Sequence, residues 1–138
     1  MEGKKHVKFG RRLVFVGFGS VGQGSLPLLL RHIDMLSGLD ALILECNHDL
    51  DLLMSGSYPP TLKRRISSRY GHLDNSTAAR ILCGIDCSRL QHFIAAHLSA
   101  QNNTPELARS AAAEALGCEP GWIGIATQSE GLAWRQVS

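Results

Sequence analysis

Asp40-Ala-Leu-Ile-Leu-Glu-Cys-Asn-His-Asp49 is the stretch on which the reading of this chain turns. Residues 41–44 are a short apolar run that ends in an acid, Glu45, and a polar turn, Cys46-Asn47-His48-Asp49, follows. A short apolar run bounded by polar residues is the pattern of a strand. Read from its N-terminal side, it is the second strand of a β-α-β unit, with Glu45 placed to meet a ribose. Read from its C-terminal side, it opens a longer segment with motifs of its own.

Upstream, Leu13-Val14-Phe15-Val16 is a second apolar run, rich in β-branched and aromatic residues. It leads directly into Gly17-Phe18-Gly19-Ser20-Val21-Gly22, and Leu26, Leu28, Leu29, Leu30 and Ile33 follow with the character of a helix. GxGxxG between a strand and a helix has a specific logic. Gly17 permits the tight turn, Gly19 admits a pyrophosphate close to the backbone, and Gly22 lets helix and strand pack closely. The helix N-terminus adds free N–H groups and a partial positive charge. Glu45 follows Gly22 at the spacing expected of the ribose-binding acid, at the end of the second strand. This predicts a Rossmann-like unit with Gly17, Gly19, Gly22 and Glu45 as cofactor-binding residues and NAD as the cofactor. The alternative is that the glycines only make a tight turn. Residues 7–35, GFGSVGQGSLPLLLRHID above all, resemble the N-terminal dinucleotide-binding segment of homospermidine synthase, an NAD-dependent enzyme; nothing after Met35 continues that family.

Downstream, Leu50–Met54 reads as a short helical turn, and Tyr58-Pro59-Pro60 stops both helix and sheet. Residues 61–70 read as a helix carrying Lys63, Arg64, Arg65 and Arg69, which can meet a phosphate backbone or form a solvated face. Asp74, Asn75 or Ser76 caps the next helix. Residues 90–96 read as a buried strand ending at His97. Thr104 caps an alanine-rich helix with Pro105 at its first position, and Gly117 stops it. Residues 122–127 and 132–137 read as a closing hairpin.

LECNHD (44–49), YPPTLKRR (58–65), GHLDN (71–75) and AHLSAQNNTPELA (96–108) together resemble the C-terminal half of metallo-β-lactamase-fold hydrolases, in the phosphodiesterase and nuclease branch. That family cleaves phosphoesters with two metal ions, which activate water and neutralise charge on the phosphate. The resemblance implies that His97 is a metal ligand and that His72, oriented by Glu45, is the catalytic histidine approaching the phosphate. The family's HxHxDH motif is nowhere in this sequence. Zinc or another divalent metal is therefore expected only where a complementary chain completes the site, and the segment is expected not to hydrolyse on its own.

The expected fold class is α/β: a single layered sheet with helices, in which residues 1–35 supply a Rossmann-like segment and residues 36–138 half of a metallo-β-lactamase-type sandwich. The chain reads as a join near Met35/Leu36. Three functions stay open: a truncated metal-dependent hydrolase, an NAD-binding module without catalysis, or a scaffold that self-associates. A sheet face without its usual cover predicts a homo-oligomer or a complementing chain. In 138 residues, 44% hydrophobic and 19% charged with a net charge of +2, no global field singles out nucleic acid or membrane. Cys46, Cys83, Cys87 and Cys118 lack CxxC spacing and read as reduced thiols. No run approaches the ~18–20 apolar residues of a membrane span. A cytoplasmic protein is the expectation.

Overall fold

The computed structural model describes residues 13–16 and 38–138. The glycine-rich loop, with Gly17, Gly19 and Gly22, and the helix expected after it lie outside the described residues.

The four described strands, β1 (Leu13–Val16), β2 (Ala41–Glu45), β3 (His92–Ala96) and β4 (Gly124–Ile125), form one sheet in the order β1-β2-β3-β4. Every pairing is parallel. Both central strands read as apolar runs for this reason. Ala41, Leu42 and Leu44 of β2 and Phe93, Ile94 and Ala95 of β3 are all buried, as parallel strands covered on both faces require. The chain is thus α/β, as expected, and its described sheet is parallel throughout.

Between β2 and β3 run three helices, α1 (Leu50–Ser55), α2 (Pro60–Ile66) and α3 (Asn75–Cys83); α4 (Pro105–Leu116) joins β3 to β4. Their ends follow the capping signals. The Asp49 side chain accepts from Leu52 N–H, that of Asp74 from Thr77 N–H, and that of Thr104 from Leu107 N–H. Pro105 sits at the start of α4, and Gly117 ends it at φ 63°, a left-handed turn that favours glycine. Ala108, Ala112 and Ala113 of α4 are buried in the same cluster as Ala78, Ile81 and Leu82 of α3. Small side chains on one helix let the two backbones approach, and Leu42, Leu44 and Phe93 of the sheet complete the core.

Two expectations for the C-terminal region are corrected. Residues 120–122 form a 3-10 turn and only Gly124–Ile125 is a strand, pairing parallel with β3. The expected hairpin is reduced to one antiparallel bridge, Thr127 with Gly131. Residues 132–138 form no strand. They return to the start of β3, where His92 Nε2 meets Gln136 O at 2.8 Å and Gln91 bonds Ser138 through side chain and backbone. Those bonds hold the tail away from a second strand pairing. The basic helix is also shorter than expected, ending at Ile66.

Candidate active site

Parallel strands place all their C-terminal ends on one side of the sheet, and the register decides what meets there. Glu45 pairs with Ala96, so the residue after β3, His97, emerges beside the last residue of β2. A third segment joins them. His48 and Asp74 form a parallel bridge, Asn47 N–H donates to Leu73 O at 2.8 Å, and Asn75 N–H to His48 O at 2.9 Å. This lays residues 72–75 alongside 45–48 and brings His72 in from the other side.

Glu45 is fully buried between the two histidines. Its Oε1 lies 2.8 Å from His72 Nδ1 and 2.5 Å from His97 Nδ1, and its Oε2 accepts from Leu73 N–H at 3.2 Å. The imidazoles stand edge to face, 5.1 Å between centroids. A carboxylate accepts and cannot donate, so each neutral ring carries its proton on Nδ1 and leaves a lone pair on Nε2. His97 is 45% exposed and His72 29%, so this second nitrogen is the accessible side of each. A histidine backed by a carboxylate is the arrangement that fixes tautomer and ring orientation in metal and acid–base sites.

Among the described residues, Glu45, His72 and His97 are also the group that could hold a metal ion, one ligand atom from each lying within 4.8 Å of the others. Imidazole nitrogens suit a divalent transition ion such as zinc. Both Glu45 oxygens are already engaged, so the ligand atoms left without a partner among the described residues are the Nε2 nitrogens, fewer than the three ligands of a catalytic site.

His72 lines a cleft of about 440 Å³ together with Asn47, Tyr58, Arg65, Gln101 and Asn102. Arg65 is the member of the basic cluster that lines it. Lys63 is turned elsewhere, its Nζ donating to Met54 O at 2.6 Å. Gly71 shapes the approach, since a Cβ there would lie 1.9 Å from Ile66 O. The chain can pass this close to the end of α2 only without a side chain.

The structure therefore brings together all three of the hydrolase-like residues expected from sequence. For Glu45, its described partners are the two histidines and Leu73; the glycines expected to share a ribose site with it lie outside the described residues. Sequence reasoning had split the roles, with His97 for metal and His72 with Glu45 for catalysis, and missed that one carboxylate oxygen serves both rings. It also missed Asn47, read only as part of a polar turn, and His48. His48 is 1% exposed, with no hydrogen-bond partner on either ring nitrogen among the described residues; burial holds its pKa below the ordinary histidine value, against the pull of nearby Asp74.

An 82-residue stretch, 59% of this chain, is 39% identical to the exodeoxyribonuclease YycJ of Bacillus anthracis and covers 31% of that protein. A 78-residue stretch is 38% identical to the exodeoxyribonuclease WalJ of Streptococcus pneumoniae serotype 2 (strain D39 / NCTC 7466), covering 56% of this chain and 29% of that one. The chain resembles exodeoxyribonucleases. It spans about a third of the length of the curated relatives it matches. No family model matches the chain, and no solved structure matches it. The relatives support the nuclease side of the sequence resemblance; they lend none to homospermidine synthase.

Proposed function

We propose that residues 38–138 carry one half of a divalent-metal-dependent phosphodiesterase site acting on DNA. The observation that supports this most is the single buried carboxylate oxygen shared by two imidazoles, at the edge of a cleft walled by Arg65. In this reading His97 would hold the ion through its free Nε2, with Glu45 behind it raising the basicity of the ring. A bound divalent ion supplies Lewis-acid stabilisation of the phosphate and an activated water. The chain's own residues do the rest. Arg65 offers a fork of N–H donors suited to phosphate oxygens. His72, protonated on Nε2, gives that proton to the departing oxygen while Glu45 stabilises the charged ring. Hydrolysis needs the further ligands of an HxHxDH segment, which this sequence does not contain.

The test is fluorescence anisotropy of a labelled, 5′-phosphorylated single-stranded DNA oligonucleotide with the purified chain and Mn²⁺, alongside a nucleotide-release assay. Binding is expected, weakened roughly tenfold by Arg65→Ala, the loss of one charge-assisted contact, with no release until a segment bearing HxHxDH is added. Absence of binding, or binding indifferent to both Arg65→Ala and His72→Ala, would remove the proposal.

A further inference from the structure

Asn47 is tied to both histidine-bearing segments. Its backbone N–H donates to Leu73 O at 2.8 Å, beside His72. Its backbone carbonyl accepts from Ser99 N–H at 2.8 Å, two residues past His97. Its side-chain Nδ2 donates to the carbonyl of His97 itself at 2.8 Å. Asn47 is 8% exposed and sits two residues beyond Glu45, so one short stretch of β2 and its exit carries both the carboxylate and the ties to its partners.

The third bond matters most. His97 has φ 58°, the one positive φ among the described non-glycine residues. The left-handed region is disfavoured for a residue with a Cβ, and it persists where neighbouring groups over-determine it. Strand β3 delivers the chain to Ala96 in extended form. The left-handed turn at His97 then reverses the local path and leaves Nδ1 2.5 Å from Glu45 Oε1. The carbonyl that the Asn47 side chain holds belongs to the turning residue.

We infer that Asn47 is a positioning residue: its carboxamide holds His97 in the left-handed turn and thereby sets the His97 imidazole on Glu45. This deepens the proposed function and rests on it for any bearing on hydrolysis. The positional claim itself concerns the protein without DNA or metal.

The bonds divide in a way that makes the claim testable. Any substitution at Asn47 other than proline keeps the two backbone bonds, including the one that braces the His72 segment. Among the described bonds, only the one to His97 is lost. The experiment is ¹⁵N–¹H correlation of the imidazole rings in the apo protein, comparing wild type with Asn47→Ala and the near-isosteric Asn47→Asp. The expected result is selective. His72 keeps a single Nδ1–H tautomer hydrogen-bonded to Glu45, while His97 moves to the averaged tautomer mixture of a solvent-exposed histidine. A purely structural residue would disturb both rings together.

Three results would overturn the inference: an unchanged His97 signature in both variants, an equal loss at His72 and His97, or failure of both variants to fold cooperatively. Oligonucleotide binding by the wild-type chain, measured separately, shows whether the nuclease reading stands; the ring signatures do not depend on it.

Discussion

Replacing Glu45 by glutamine is the most direct test of the site's construction, because it keeps the shape and removes the charge. The best placement of the new amide keeps its oxygen toward the two imidazoles and turns its NH₂ toward Leu73 N–H, two donors face to face. Each histidine bond falls from a charged acceptor, ~1.5–3 kcal/mol, to a neutral one, ~0.5–1.5 kcal/mol, and a buried N–H loses its partner at ~1–3 kcal/mol. Removing a buried carboxylate charge relieves part of its desolvation. The net expectation is a loss of about 2 kcal/mol, which for a chain of this size lowers the thermal midpoint by about 8 °C. Far-UV circular dichroism melts at neutral pH measure it. A midpoint unmoved or raised in Glu45→Gln would refute the argument, for it would mean that the carboxylate is tolerated by the fold rather than bracing it.

Gly71→Ala should displace His72 without touching His97, since the added Cβ meets the backbone carbonyl of Ile66; ring NMR is expected to show the His72–Glu45 bond lost and the His97 bond kept. His48→Leu should stabilise the fold by about 1–3 kcal/mol, because it removes a buried imidazole with no hydrogen-bond partner among the described residues. The same variant should flatten the acid limb of stability. The folded-state pKa of His48 lies below 6.5, so the stability linked to it is complete above that value and is lost as the unfolded ring protonates below it; melts across pH decide. Thiol alkylation should label exposed Cys83 in the native state and spare Cys46, which burial, with help from Glu45 and Asp74, pushes up to about 12; mass spectrometry of the labelled peptides checks the order. Millimolar NAD should leave the midpoint unmoved, since Glu45 already has both oxygens engaged; a rise lost in Gly19→Val would instead favour the dinucleotide-binding alternative.

Strands and helix caps were legible because each has a local cause. The apolar run before Glu45, the Asp74 and Thr104 caps and the left-handed Gly117 all depend on near neighbours in the chain. The convergence of Glu45, His72 and His97 was half legible. Motif resemblance named all three, yet their sharing of one oxygen follows from strand register, Glu45 against Ala96, which no local pattern encodes. The left-handed turn at His97 was invisible, since histidine there looks like any strand-end residue. The hairpin over 122–137 failed for a related reason. Its two short apolar runs looked like paired strands, but Gln91 and His92, more than 40 residues earlier, take up the backbone of the tail.

That tail has a practical consequence. Ser138 is bonded to Gln91 at the entry to β3, while His97 lies at its exit. At about 3.3 Å per residue the five-residue strand separates the two by ~17–20 Å. A biotin tag or linker appended after Ser138 would leave the molecule from the end of the sheet opposite the histidines. Immobilised through that end, the protein would present its cleft to solution, which suits surface-based measurements with DNA that an N-terminal tether need not.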